Sequence, residues 1–169
     1  MNRNNIILII SFILLVFFQT LVFNNLYLFG FINPMVYVLF LVIYRFDYDQ
    51  TFFILSSFIL GFLIDFFSQS GGAHTISTLT VGFIRPIIIK NTFAVSSEIP
   101  GSFQNENRIL DKYLFLSSII GLHHFLYFIF VYFNWRAISL IIKNTLSTFV
   151  FSLILISLIS VFYNKSNDS

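Results

Sequence analysis

Apolar positions gather in six blocks, at residues 6–23, 31–45, 51–67, 75–92, 113–133 and 138–163, and polar residues mostly mark the breaks between them. Blocks close to twenty residues match the length of helix that crosses a ~30 Å hydrocarbon core. The apolar residues face all round each helix, whereas a β-barrel strand would alternate over about ten residues. The pattern predicts an all-α integral membrane protein with about six transmembrane helices, forming one domain over residues 1–169. The second block is the weakest. Asn33 and Pro34 have the character of an N-cap followed by a first-turn proline. A helix from there to Tyr44 rises only about 17 Å, so it is expected to begin within Leu26–Phe31 or to dip partway into the bilayer.

Composition agrees with a lipid solvent. Only 9% of residues are charged, 57% are hydrophobic, and the mean hydropathy is +0.89, whereas soluble domains carry about 25% charged residues. A net charge of +2 in such a chain reports loop orientation rather than nucleic-acid binding. The absence of cysteine excludes disulfides, thiolate metal sites and cysteine nucleophiles. The 25 phenylalanines suit lipid contact. The N-terminus has a basic start and an apolar run, but the run is long and no small-x-small cleavage site follows it, so a retained first span is expected. With six spans and the N-terminus inside, Arg3, Arg45, Arg85, Lys90, Arg108, Lys112 and Lys165 fall at or near the cytoplasmic side. Arg136 falls outside, and Lys143 lies near the outer end of the last helix. The polar loop 93–112 is expected in the cytoplasm whether or not the second block spans; the side of the N-terminus depends on that block.

Ionisable groups inside the blocks are the candidate functional positions, since each costs roughly +2.5 to +3.5 kcal/mol at a helix centre on insertion scales. Asp65 ends the third block, Ser68–His74 makes a Gly-rich turn, and Arg85–Pro86 lies deep in the fourth. Ser57, Gly61 and Asp65 share one helix face, and Thr75, Thr78, Gly82 and Arg85 share another. Small and hydroxylated residues let membrane helices approach closely, so the two faces are expected to meet across the turn. Arg85 then lies about 15 Å along its helix from the turn, too far for an ion pair with Asp65. Asp65 can be held by His74, by the open N–H groups that start the fourth helix, or by Lys143. Its expected role is a polar packing anchor, with a proton or ion relay and a contact for a partner's helix as alternatives. Pro86 frees the carbonyl of Gly82 and kinks the helix, and a nearby Arg or Thr is placed to satisfy that carbonyl. Arg85 is expected to serve as an anchor that snorkels toward lipid phosphates, or as a partner contact.

His123 and His124 lie mid-block, and adjacent helix residues point about 100° apart, so they do not chelate one metal as an i, i+4 pair does. Ser117, Gly121 and His124 share an inward face, which turns His123 toward a different neighbour. Asn144, Thr148 and Ser152 line the last helix at four-residue steps and suit interhelical hydrogen bonding. Neither a nucleophile elbow nor a zinc or phosphate-loop motif occurs. The candidate helix-packing or partner-contact residues are Gly61, Asp65, His74, Thr78, Gly82, Arg85, Pro86 and His124, with no catalytic, metal or cofactor residues expected.

The ordered motifs G-x-x-x-D-x-F-S at Gly61–Ser68, G-x-H at Gly72–His74 and R-P at Arg85–Pro86 resemble the MreD family, the multispanning rod shape-determining proteins of bacterial cell-wall elongation. The stretch LVFNNLYLFGFINPMVYVLFLVIYRFDYDQ is similar to that family's first loop and second helix, and GLHHFLYFIF to its fifth helix. The likeness covers nearly the whole chain, with Gly-Ala before His74 a departure where a larger apolar residue often stands. It implies a non-enzymatic scaffold in the bacterial inner membrane, without a cofactor, acting with an MreC-like partner and through it with MreB and the RodA/PBP2-type wall synthases. The family also resembles the six-helix membrane-embedded substrate-binding components of energy-coupling-factor vitamin transporters, which supplies the alternative function. In that case Tyr27, Tyr37, Trp135 and His74 would contribute to a pocket near the outer face. An intramembrane enzyme built on Asp65 and His124 would lack a second acid, a nucleophile or a metal set.

Overall fold

The computed structural model describes residues 3–30, 32–46, 48–93, 100, 103 and 108–165, and it is all-helical. Its helices are α1 (Arg3–Leu21), α2 (Leu39–Ile43), α3 (Gln50–Ser68), α4 (Ala73–Phe93), α5 (Ile109–Tyr132) and α6 (Ile138–Lys165). Four stretches, Ile6–Asn25, Gln50–Ser68, Ile109–Tyr132 and Trp135–Ser160, are long and apolar enough to cross a membrane. α4, at 21 residues, falls within the range of these lengths but is more polar, and it packs between α3 and α5, where its His74, Ser77, Thr78 and Arg85 are buried. Of the loop expected at 93–112, residues 94–99, 101–102 and 104–107 lie outside the described residues, and α5 begins a turn earlier than expected, at Ile109.

Backbone chemistry sets the tight α3–α4 turn. Gln69 ends α3 in the left-handed region and returns its N–H to the carbonyl of Asp65. Gly71 and Gly72 follow at φ +70° and +94°, a conformation that costs a residue without Cβ nothing. The chain reverses and α4 runs back along α3. Within α4, Pro86 leaves the carbonyl of Gly82 without its helical donor, and Gln50, the first residue of α3, supplies one from its Nε2 at 2.9 Å.

The second apolar block differs most from a plain helix. After α1 and a turn at Phe23–Asn25, Leu28 and Ile32 exchange a pair of backbone hydrogen bonds around a loop in which Tyr27, Phe29 and Gly30 take positive φ. The chain then stays extended to Met35 and winds only through the 3-10 turn Val36–Val38 and α2, every residue of which is buried. Asn33 is not the N-cap. Its side-chain oxygen accepts the N–H of Tyr27 at 3.0 Å, and Met35 precedes the first turn. Pro34 disfavours a helical Asn33, and the N–H groups that an N-cap would satisfy are met by side chains from other helices. The segment traverses the bundle interior, from Tyr37 beside His74 at the α3–α4 turn to Tyr44 beside Arg85. Asn24, just past α1, bonds Ser68 at the end of α3 at 2.5 Å, so α1 and α3 run in the same direction.

Candidate functional site

Two polar centres occupy the bundle, one at the end bearing the α3–α4 turn and one toward the opposite end. At the turn, the Asp65 carboxylate accepts four hydrogen bonds. Ser70 Oγ (2.5 Å) and the His74 N–H (3.1 Å) meet Oδ1, while the Thr75 N–H (2.6 Å) and Thr75 Oγ1 (2.5 Å) meet Oδ2. Two of these donors are the N–H groups that α4 leaves open at its start, so the carboxylate acts as the cap that fastens α4 to α3.

The same α3–α4 contact explains the small residues. A Cβ on Gly61 would lie 2.6 Å from Thr75 Cα and 2.8 Å from the His74 carbonyl oxygen, and it would also meet Thr78 Oγ1. A Cβ on Gly82 would lie 2.8 Å from Ser57 Oγ. Gly61 therefore marks a place where the backbone of α4 rests directly on α3, and Gly82 a place where the Ser57 side chain of α3 rests on the backbone of α4.

Beside Asp65, the His74 ring enters a buried chain of polar groups. Its Nδ1 is 2.6 Å from Tyr37 Oη, which is 2.9 Å from His123 Nε2. The Tyr127 ring packs on His74 with centroids 4.4 Å apart. His124 faces the other way, with Nδ1 on the carbonyl of Ile120 at 2.7 Å and Nε2 on Ser152 Oγ of α6 at 2.9 Å. Ser152 Oγ in turn accepts the N–H of Met35 at 2.9 Å. Gln19 completes the centre from α1. Its Oε1 accepts the N–H groups of Val36 (2.8 Å) and Tyr37 (3.3 Å), and its Nε2 donates to Asn24 Oδ1 and the Pro34 carbonyl. The extended entry to the second segment thus has its backbone donors satisfied by α1 and α6, as non-helical backbone in a bilayer requires.

At the other centre, Arg85 is 2% exposed and donates Nη2 to the carbonyl of Tyr44, just past α2. Its guanidinium lies 4.4 Å from the ring centroid of Phe53, 4.9 Å from Phe46, 5.8 Å from Phe115 and 6.0 Å from Tyr44. A cation at a helix C-terminus, boxed by ring faces, is stabilised by the carbonyl and by the ring quadrupoles. Pro86 beside it is on the exposed face of α4.

The eight candidate residues are therefore distributed. Gly61, Asp65, His74 and Thr78 come together at the turn end of α3 and α4. Gly82, Arg85 and Pro86 lie further down α4, and His124 links α5 to α6. Sequence patterning missed Gln19, Tyr37 and Ser152 as a unit, together with Gln50. The available signal was Gln19, the one amide in a first block whose other polar residues are Ser11 and Thr20. Tyr27 and Trp135 are 60% and 90% exposed while Tyr37 and His74 are buried and bonded to each other, so these four residues do not line one pocket. A groove of about 510 Å³ between α1 and α3 is lined by Phe12, Val16, Phe17, Leu63 and Phe67 among others and carries only Thr20 as a polar group. Among the described residues, no three His, Asp or Glu side chains are grouped as metal ligands.

The four-donor shell makes Asp65→Asn more damaging than shape alone suggests. An amide presents one acceptor oxygen, so whichever way it turns its NH₂ faces the N–H of His74 or that of Thr75. The variant is expected to lose about 1–3 kcal/mol, the cost of one unsatisfied buried donor, and Asp65→Leu more. Thermal midpoints of the purified proteins in the order wild type, Asn, Leu check this; an unchanged Asn variant would contradict it.

Comparison with models of known protein families, with curated proteins and with solved structures finds no match.

Proposed function

We propose that the chain is a non-enzymatic scaffold of MreD type in the bacterial inner membrane, serving the cell-wall elongation machinery that controls cell shape. It acts with an MreC-like protein, and through that partner with MreB and RodA/PBP2-type wall synthases. In this reading the chain crosses the bilayer six times, with residues 93–112 in the cytoplasm, in the manner of the membrane component of energy-coupling-factor transporters. The observation that carries the proposal is the ordered set of motifs, whose polar members fasten helices together. Asp65 caps α4, Arg85 closes the end of α2, and His124 ties α5 to Ser152. A chain whose buried Asp65, Arg85 and His124 are each committed to holding one element to another has the make-up of a rigid platform. The alternative, a substrate-binding component of a vitamin or small-molecule transporter, needs a polar pocket, whereas Tyr27 and Trp135 are exposed while Tyr37 and His74 are buried and bonded to each other.

Depleting the protein is expected to give round or swollen cells, and affinity capture from detergent extracts to recover an MreC-like protein without added ligand. Normal cell shape combined with defective vitamin uptake would replace this reading with the transporter.

A further inference from the structure

The arrangement of His74, Tyr37 and His123 has a property that its fastening role leaves unused. Two nitrogen–oxygen gaps, 2.6 and 2.9 Å, flank a single hydroxyl. With both imidazoles neutral, two hydrogens serve the two gaps: the hydroxyl donates one way and one imidazole N–H donates to the oxygen from the other side. Both directions are available to the line. They differ at the far nitrogen of His123, Nδ1, which is fully buried and has no hydrogen-bond partner. If Tyr37 donates to His74, His123 keeps its hydrogen on Nε2 and leaves Nδ1 as a bare lone pair. If Tyr37 donates to His123, that ring carries its hydrogen on Nδ1 as an orphaned donor. Orphaned buried N–H groups are rarer than under-used acceptors, so the first arrangement is the resting one.

A proton on His74 removes this choice. His74 Nδ1 then carries a hydrogen that points at Tyr37, and three hydrogens compete for two gaps. Either His123 moves its own hydrogen from Nε2 to Nδ1, or the Tyr37–His123 hydrogen bond opens. In both cases a charge at the turn end of the bundle is felt at His123, in the middle of α5. The charged and titratable groups facing this line are Asp65 from α3 and His124 and Tyr127 from α5. Only Asp65 supplies a negative charge, held against the backbone N–H of His74 itself at 3.1 Å. We propose that His74, Tyr37 and His123 form a buried proton-binding site, in which a proton taken up at His74 stays on that ring and is felt, through the Tyr37 hydroxyl, as a change of tautomer or a lost hydrogen bond at His123.

The chain has three histidines, all in this centre, so their ring nitrogens are separately assignable. The full chain labelled with ¹⁵N-histidine, in lipid nanodiscs, is titrated from about pH 8 downward through the histidine range. The ring nitrogens of His123 are expected to change with the same midpoint as those of His74. In Tyr37→Phe, which keeps the ring and removes the hydroxyl, His74 is expected to titrate while His123 no longer follows. Asp65→Asn is expected to move the shared midpoint to lower pH. His123 resonances that stay fixed while His74 protonates, that follow it equally in Tyr37→Phe, or a His74 that takes up no proton before the protein unfolds would each overturn the site. None of these readouts depends on a role in cell shape.

Discussion

Gly61→Ala is expected to destabilise the protein more than any other single-methyl addition among its helical glycines. The added carbon would sit 2.6 Å from the Thr75 Cα and 2.8 Å from the His74 carbonyl, and backbone atoms cannot swing aside as a side-chain tip can. Relief requires α4 to lift from α3, which also stretches the four bonds around Asp65. A loss of about 3 kcal/mol or more is expected, at or above the usual range for overpacking, with Gly61→Leu failing to accumulate as folded protein. Gly121→Ala is the internal control, because its new carbon meets only the Phe149 ring at 3.6 Å, an ordinary contact. In a helix that change is expected to be neutral or to stabilise by about 0.5–1 kcal/mol. Thermal midpoints and the yield of monodisperse protein from membranes check the pair. Equal effects at the two glycines would refute close backbone approach at Gly61.

Gln19→Leu carries the second large effect. The side chain is 1% exposed and holds two backbone N–H groups, of Val36 and Tyr37, that have no helical acceptor. Leucine fills the volume but leaves both donors open in a dry interior, a loss on the order of 3 kcal/mol. Gln19→Glu keeps an acceptor for both but turns its second oxygen toward Asn24 Oδ1 and the Pro34 carbonyl, so it is expected to destabilise as well. Amide hydrogen exchange locates the damage. Protection at Val36 and Tyr37 is expected to fall in Gln19→Leu while the middle of α3 keeps its own, and unchanged protection at those two amides would show that another group accepts them.

Hydrophobic patterning placed the long helices to within a few residues, since a helix surrounded by apolar contact must be apolar nearly throughout. The third block, 51–67, became α3 at Gln50–Ser68, and the fourth, 75–92, became α4 at Ala73–Phe93. The meeting of the two faces was readable from Ser57, Gly61, Thr78 and Gly82, because small residues at helical steps are local information. The second block was not readable in the same way. Its path depends on Gln19, His74, His123 and Ser152, whose positions relative to Tyr37 are set by packing among four different elements. Asn33–Pro34 looks like a helix start in isolation, and only the external acceptors for Met35, Val36 and Tyr37 show why the backbone stays extended there. The donor for the Gly82 carbonyl was expected from an Arg or a Thr and proved to be Gln50, because the α3–α4 turn folds the start of α3 back beside the proline kink.

The buried segment also fixes an order of events. Eight residues of helix preceded by extended backbone make a poor candidate to settle in lipid alone, where every open N–H is costly. Its acceptor at Met35 belongs to Ser152, 117 residues later in the chain. The ribosome therefore delivers the occupant of the bundle's middle long before it delivers the last of the helices that hold it. Gln19 of α1 is made before the segment and Ser152 of α6 long after it, so the segment is fully held only once the last helix arrives. A chain halted after α5 has the acceptor for Val36 and Tyr37 but lacks the one for Met35.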